Sequence, residues 1–256
     1  MKLRLTGAAM LAVLATWTRA ETTIRSGPGR VTLIELYTSE GCSSCPPAEK
    51  WLGSLRADPG LWKAFVPVAF HVNYWDHLGW RDRLASDTFT QREYAHAAAW
   101  RSASVYTPCF VCNGEEWRPQ GVTSADLASA DKDHRGTRAG ALTIVWQSDR
   151  TCRVDYSPPA GVGISGAGLD VSVALLGSGI ITKVRAGENR GRDLGHDFAV
   201  LQFETAALKS DNPGRLTATV VVPPRADVTA RRHAISAWVT RRGDPAPLQA
   251  AGGWIE

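Results

Sequence analysis

Hydrophobic and polar positions in the first half of the chain alternate between strand-like and helix-like patterns. Residues 31–37 and 65–72 are apolar runs rich in β-forming residues, so both predict buried strands. Between them, residues 46–55 begin with two prolines, which a first helical turn tolerates, and then place apolar side chains on one face. Residues 85–102 also read as a helix. The predicted order is strand, helix, strand, helix.

A hairpin and a closing helix are predicted next. The dipeptide Thr107-Pro108 leads into residues 109–112, and Asn113-Gly114 follows. Asn-Gly favours a tight hairpin turn because both of its positions accept positive φ. Residues 123–133 predict the closing helix, capped by a threonine or serine.

The pattern changes after about Arg138. Short β-type runs are separated there by Gly, Pro, Asn and Asp, which is typical of an all-β sandwich. Residues 131–140 form the predicted linker. The predicted strands are 142–146, 151–156, 171–176, 181–185, 198–203, 216–222 and 234–239.

The first twenty residues have the layout of a secretory signal peptide. Lys2 and Arg4 precede a mostly apolar stretch at 5–17, and small residues stand before a cleavage point after Ala20. About 13 apolar residues are too few for a membrane span, which needs roughly 20. We therefore expect a periplasmic or secreted protein without stable membrane insertion after cleavage.

Removal of the leader also changes the charge balance. Loss of Lys2, Arg4 and Arg19 lowers the basic residues from 29 to 26, against 25 acidic ones. A nearly neutral chain offers no electrostatic basis for binding nucleic acid. Export would also let disulfides persist, and five cysteines cannot all pair within one chain.

Cys42 and Cys45 form a Cys-x-x-Cys motif between a predicted strand and helix. The helix N-terminus stabilises a thiolate, and such cysteines reach pKa values of about 3.5–7.5 from about 8.5. Cys42 is therefore the predicted nucleophile, and Cys45, about one turn later, is the predicted resolving thiol. Glu40 opposes this effect because its carboxylate repels a thiolate.

The remaining cysteines differ from this pair. Three positions apart on a strand, Cys109 and Cys112 have Cα atoms about 10 Å apart at ~3.3 Å per residue, whereas a disulfide needs less than about 7 Å. We expect one of them, Cys109, to approach Cys42 and Cys45. Cys152 lies on one face of a predicted strand and reads as a buried free thiol.

These motifs resemble a known family. Strand, Cys-x-x-Cys at a helix start, and Thr107-Pro108 before a hairpin are similar to the thioredoxin fold, in which the proline matching Pro108 is cis. Residues 35–48, 70–82 and 105–108 resemble the secreted thioredoxin-like family catalogued as domain of unknown function 1223, with weaker likeness at 187–194 and 237–239. Cysteines at positions 109 and 112 depart from that family's pattern.

The resemblance and the hydrophobic pattern together imply two consecutive domains. The expected fold is an α/β thioredoxin-like N-terminal domain at 28–136, followed by an all-β, sandwich-like C-terminal domain at 140–256. The family brings no settled activity with it.

Polar side chains crowd the end of the second predicted strand. His71 and Asp76 are candidates for a proton carrier or a metal ligand, since the carboxyl ends of strands commonly open onto sites. The alternative is that the group 71–77 satisfies the backbone of a connecting loop. The four other histidines with no partner at ligand spacing are His96, His134, His196 and His233.

The leading functional hypothesis is a thiol–disulfide oxidoreductase that acts on exported protein thiols and disulfides and needs no cofactor. Cys42 exchanges through a mixed disulfide, and Cys45 resolves it. Thr107 and Pro108 shape the docking groove, and Cys109 is a second relay thiol.

Two other classes stay open. In the first, Cys42, Cys45 and Cys109, with His71, hold copper(I) or zinc(II). In the second, the chain is a non-enzymatic interaction module whose disulfides are only structural.

Overall fold

The computed structural model describes residues 21–118, 137–161, 168–212 and 214–255. The predicted signal peptide, the closing helix at 123–133, His134 and most of the predicted linker lie outside these ranges. No helix in the described part of the chain is long and apolar enough to cross a bilayer.

Two α-helices and fifteen strands occur in the described ranges. The helices are α1 (Cys45–Ser54) and α2 (Asp87–Ala99). The strands are β1 (Glu21–Arg25), β2 (Thr32–Thr38), β3 (Phe65–His71), β4 (Cys109–Cys112), β5 (Glu115–Trp117), β6 (Ala141–Gln147), β7 (Thr151–Ser157), β8 (Leu169–Ser178), β9 (Ile180–Lys183), β10 (Asp193–His196), β11 (Ala199–Ala207), β12 (Lys209–Asn212), β13 (Arg215–Val221), β14 (Arg232–Arg241) and β15 (Pro247–Ile255).

The largest sheet combines strands from both halves of the chain. Its eight strands have the order β15-β14-β8-β11-β3-β2-β4-β5. β2 and β3 are parallel, in register from Thr32 opposite Phe65 to Thr38 opposite His71. A second sheet has the order β1-β6-β7-β13-β12, and β9 and β10 form a separate two-stranded ribbon.

The expected division into an α/β thioredoxin-like domain and a following all-β domain is wrong. About 47% of the chain is in strands and 14% in helix. β3 pairs in parallel with β11, Ala69 opposite Ala199, and the Ala69 N–H donates to the Phe198 carbonyl at 2.9 Å. Both faces of β3 are buried, so an unpaired edge would leave peptide groups unsatisfied in the interior. β11 pairs with that edge at Ala69 and joins the two halves in one sheet.

Most of the locally predicted elements are confirmed. β2, α1, β3 and α2 lie where the pattern placed them, and the hairpin turns through Asn113 and Gly114 with φ values of 50° and 91°. The seven predicted C-terminal strands are also present with shifted ends. β1, β10, β12 and β15 were not predicted, because their patterns are short or interrupted by Gly and Pro.

Helices α1 and α2 cover opposite faces of β2 and β3. Leu36 packs with Leu52 of α1 on one face, and Tyr37 packs with Phe70 and Phe89 of α2 on the other. Fully buried apolar side chains of this size each contribute about 1.5–3 kcal/mol. The other large core is formed by buried side chains from strands of both large sheets. This arrangement fixes the carboxyl ends of β2 and β3 beneath the N-terminus of α1.

Candidate functional site

Cys42 and Cys45 form a disulfide at the start of α1. Their Cα atoms are 5.5 Å apart, and both residues are fully buried, with 0% of their surface exposed. Cys45 is the first residue of the helix, and Pro46 and Pro47 occupy its first turn, where no hydrogen-bonded N–H is needed. The predicted reactive pair is therefore joined and enclosed.

Thr107 and Pro108 lie directly beside this pair. The peptide bond between them is cis, as the family resemblance implied. The Thr107 carbonyl oxygen is 3.7 Å from the Cys42 sulfur, and its hydroxyl accepts a hydrogen bond from the Trp75 indole at 2.7 Å. The Thr107 carbonyl, which is bonded to Pro108 through the cis peptide, thus reaches the Cys42 sulfur.

A loop between β9 and β10 ties down the disulfide segment. The side-chain amide of Asn189 donates to the carbonyl oxygens of Glu40 and Cys42, each at 2.9 Å. The exposed carboxylate of Glu188 accepts the Ser43 backbone N–H at 3.0 Å. This N–H lies at the positive end of α1, so Glu188 occupies part of the field that would stabilise a Cys42 thiolate.

Gly41 allows an aromatic side chain to close over the same segment. A Cβ at position 41 would lie 2.9 Å from the Cβ of Trp75. Only glycine fits this approach without displacement of Trp75. We call Trp75 and residues 187–192 the cover of the disulfide.

The three remaining cysteines form no disulfide. Cys109 is paired with Tyr37 across β2 and β4, so its side chain lies on the α2 face, opposite α1. Burial raises the pKa of the Cys109 thiol to about 12 and does the same for Cys152. Since a nucleophilic cysteine needs its thiolate, these values disfavour both as reactive thiols. Cys112 lies three positions farther along β4, opposite Ile34.

Five ionisable side chains form a buried cluster beneath α1. His71 ends β3, and His196 ends β10. The Nδ1 atom of His71 lies 2.7 Å from a carboxylate oxygen of Asp82, and Nδ1 of His196 contacts the carboxylate of Glu49. His196 Nε2 is 3.3 Å from a Glu40 oxygen. All five residues are at most 6% exposed, so we refer to them as the buried cluster.

The carboxylates of the buried cluster favour protonated imidazoles. Burial disfavours the charged form of His196, but Glu49 and Glu40 outweigh it and raise its pKa to about 10. Burial likewise lowers the pKa of His71, but the Asp82 carboxylate outweighs burial, and the pKa of His71 is raised. The pKa of Glu49 is lowered against its own burial, chiefly by His196. Opposite charges at these distances stabilise each other's ionised forms.

The structure separates the predicted polar residues at the end of β3. His71 belongs to the buried cluster, whereas His77 is exposed and contacts the Tyr74 carbonyl. Asp76 accepts the Asp82 N–H at 3.0 Å, and the Asn73 side-chain oxygen accepts the Thr90 hydroxyl at 2.8 Å. The three-thiol set with His71, proposed for copper or zinc, is not brought together: two of its sulfurs form the disulfide, and Cys109 faces α2.

Sequence reasoning missed the residues that reach the site from far along the chain. His196 had no partner at ligand spacing, and Asn189 lies 147 positions from Cys42. The likeness of residues 187–194 to the family was a signal, because that segment supplies both the cover and the strand that carries His196. Glu49 was not singled out because, in the sequence, it is an ordinary polar position of the predicted helix α1.

An open cleft runs beside α1 next to the buried cluster. Its volume is about 600 Å³, and Glu49 and His196 belong to its lining together with Pro46, Lys50 and Arg192. The cleft therefore connects solvent with one side of the cluster, and Arg192 at the end of the cover forms part of its wall.

Glu93, a buried residue of α2, makes the stability of the fold depend on pH. Burial raises its pKa to about 7, although the Tyr106 N–H and the Tyr74 hydroxyl both donate to its carboxylate. The Glu93 carboxyl group therefore binds its proton more tightly in the folded protein than in the unfolded chain. The protonated Glu93 contributes its full stabilisation of the fold below about pH 4.5, and this contribution is lost as the pH rises through 7. The variant Glu93→Gln should not lose stability in this way, because glutamine carries no ionisable proton.

The expected result for Glu93→Gln is a gain in unfolding free energy, relative to the native chain, that grows by ~2–3 kcal/mol from pH 4.5 to pH 8. Urea unfolding at both pH values measures it. Two stability-versus-pH curves that run parallel would contradict this account of Glu93.

Comparison with known proteins matches this chain to a protein family. The profile of the family described as "Protein of unknown function (DUF1223)" matches residues 33–240, which include the disulfide, the cover and every member of the buried cluster. The chain belongs to the DUF1223 family. No curated protein matches it in sequence.

Two solved structures share the DUF1223 chain's fold. One is a structural genomics crystal structure of a protein from Agrobacterium tumefaciens, with 24% identity and a TM-score of 0.64 over 88% of this chain and 94% of that one. The other is HBP35 of Porphyromonas gingivalis, with 13% identity and a TM-score of 0.58 over 89% of this chain and 76% of that one. At these identities the likeness concerns the fold alone.

Proposed function

We propose that this DUF1223 protein is a thiol–disulfide oxidoreductase that uses the Cys42–Cys45 pair. The observation that carries the proposal is a disulfide at a helix N-terminus with the Thr107 carbonyl and Pro108 beside the Cys42 sulfur. That position favours a thiolate at Cys42 over the more deeply helical Cys45.

The proposed exchange proceeds in two balanced steps. A partner thiolate attacks the Cys42 sulfur, a mixed disulfide forms, and Cys45 leaves as a thiolate that takes up a proton. A second partner thiolate then attacks the mixed disulfide, which gives the partner a disulfide and leaves Cys42 reduced. The reverse sequence reduces a partner disulfide, and the relative reduction potentials set the direction.

Exchange requires the cover to open, because both sulfurs are fully buried. The contacts that hold the cover include the two Asn189 hydrogen bonds, the Glu188 contact with Ser43, the Trp75 hydrogen bond to Thr107 and the packing of Trp75 on Gly41. Hydrogen bonds of this kind contribute about 0.5–1.5 kcal/mol each, so their release is accessible. A docking partner would compete for the freed backbone groups.

We also propose that the protein is exported and that its partners are exported protein thiols or disulfides. The support is the pattern of residues 1–20, with its basic start, apolar run and small residues before position 21. A thioredoxin-like relationship of the reactive site rests on the Cys-x-x-Cys motif and the adjacent cis-proline.

The reduction potential tests this function. The chain is equilibrated in dithiothreitol or glutathione buffers of graded potential, its thiols are alkylated, and modification at Cys42 and Cys45 is counted by mass spectrometry. We expect a midpoint less negative than about −300 mV, since structural disulfides lie below that value. Cys152→Ser is the matched control and should not shift the midpoint.

A disulfide that stays oxidised in buffers more reducing than about −300 mV would refute exchange. The complete burial of both cysteines would then favour the second candidate, an interaction module with a structural disulfide.

A further inference from the structure

We infer that the buried cluster is a binding site for a divalent transition-metal ion, with Glu49, His71 and His196 as its ligands. One ligand atom from each residue lies within 4.8 Å of the other two. The inference does not depend on thiol exchange, because none of these residues is a cysteine.

The imidazole of His71 is oriented as a metal ligand. Its Nδ1 faces the Asp82 carboxylate at 2.7 Å, so the other nitrogen, Nε2, is left for a further partner. Nε2 is fully buried and has no hydrogen-bond partner. An unpartnered buried nitrogen costs roughly 1–3 kcal/mol unless something occupies it. A metal ion in line with its lone pair would satisfy it.

His196 lies between two carboxylates. Its Nε2 lies 3.3 Å from a Glu40 oxygen, and its Nδ1 directly contacts the carboxylate of Glu49, which is itself a proposed ligand. Each imidazole thus has an outer carboxylate on one nitrogen, Asp82 for His71 and Glu40 for His196. This carboxylate–histidine–metal pattern fixes the tautomer and orientation of ligating histidines in metalloproteins.

The outer carboxylates and Glu49 are themselves held in place. Glu40 accepts the Trp80 indole N–H at 2.7 Å, and Glu49 accepts the Thr38 hydroxyl at 2.7 Å. Asp82 accepts the backbone N–H groups of Glu40 and Leu84 at 2.9 and 2.8 Å. The site is therefore preorganised by neighbouring groups rather than assembled from mobile side chains.

The charge and access of the cluster suit a cation. Three buried carboxyl groups outnumber two imidazoles in the cluster, so acidic groups predominate there. Two imidazole nitrogens and a carboxylate are a donor set that binds zinc and similar first-row ions. Bonds of about 2.0–2.2 Å require the Glu49 carboxylate to move off His196 Nδ1. Ligand atoms that now lie farther apart, within the 4.8 Å limit, must come closer. The 600 Å³ cleft lined by Glu49 and His196 supplies the access route.

Zinc titration of the oxidised protein tests the site. With the Cys42–Cys45 disulfide intact, chelator-treated protein is titrated with ZnCl₂ by calorimetry, and one ion per chain is expected. His71→Gln and Glu49→Gln should weaken binding by at least about 100-fold, and Asp82→Asn by ~10–100-fold, the range for outer partners of metal ligands. His77→Gln, an exposed histidine nearby, is the matched control and should bind as the native chain does.

Cobalt(II) distinguishes the ligands even if a variant folds poorly. The native chain loaded with Co²⁺ should show d–d bands of low-coordinate nitrogen and oxygen ligation without a thiolate charge-transfer band. The variant Cys42→Ser/Cys45→Ser should bind equally well. Absence of one-to-one binding, a thiolate band, or loss of binding in the double serine variant would overturn the site. Failure of the redox titration described above would leave it standing.

Discussion

Replacement of Glu35 by glutamine should destabilise the fold by roughly 3–5 kcal/mol, the cost of breaking a buried ion pair from one side. Glu35 is fully buried on the α2 face. Its carboxylate accepts hydrogen bonds from Nε and Nη2 of Arg92, at 2.7 and 2.9 Å. It also accepts the Tyr37 hydroxyl at 2.9 Å and lies 3.2 Å from His96 Nε2. Without the carboxylate, the Arg92 guanidinium would stay buried with no opposite charge.

The pKa of Glu35 points to the same conclusion. Burial opposes its ionisation, but Arg92 and His96 outweigh burial and hold the pKa well below its ordinary value. The carboxylate therefore contributes stability above about pH 4.5, and that contribution is lost as the pH falls through the folded-state pKa. Acid unfolding of the native chain should include this loss.

Urea unfolding at pH 7 measures the effect, with Glu116→Gln as the matched control. Glu116 pairs with Arg118 at 2.8 Å, but Arg118 is 75% exposed, and such surface pairs contribute at most about 1 kcal/mol. The double variant Glu35→Gln/Arg92→Met should be more stable than Glu35→Gln alone, since it leaves no unpaired buried guanidinium. Equal, small losses in Glu35→Gln and Glu116→Gln would show that the buried pair is unimportant.

Removal of Cys45 should convert exchange into a trapped state. In Cys45→Ser the partner's mixed disulfide at Cys42 has no resolving thiol within the chain, so it should accumulate. Incubation with oxidised glutathione and intact-mass spectrometry should show one glutathione per chain, located at Cys42. Cys42→Ser should show far less modification, because Cys45 lies inside the first turn of α1.

The cover provides a second arm of the same experiment. Asn189→Ala loses the two hydrogen bonds to Glu40 and Cys42, and at about 0.5–1.5 kcal/mol each this should speed trapping roughly tenfold in the Cys45→Ser background. Arg190→Ala, an exposed change in the same loop, is the control. Equal trapping at Cys42 and Cys45, or no trapping at either, would contradict their assigned roles.

Local sequence was enough to predict the elements around the disulfide. Apolar runs gave β2 and β3 because both faces of these strands are buried, and paired prolines marked the first turn of α1. The Asn113-Gly114 turn was predictable because its backbone conformation excludes most other residues. Residue type and spacing encode these features within a few positions.

The division into domains was not predictable in this way. A change of pattern near Arg138 suggested two units, yet β11 joins β3 in one sheet, 130 positions apart at Ala199 and Ala69. Strand pairing over such distances depends on which edges need partners after the core has formed. A hydrophobic run shows that a strand is buried, but not which strand lies beside it.

The sequence by itself determined the disulfide motif, the adjacent Thr107-Pro108 and the buried character of β2 and β3. Only the tertiary structure decided that Asn189 and Glu188 hold the disulfide segment, that Cys109 faces away from the pair, and that His196 meets His71 and Glu49. The reason is physical: motif chemistry depends on neighbours along the chain, whereas burial, charge pairing and ligand geometry depend on neighbours in space.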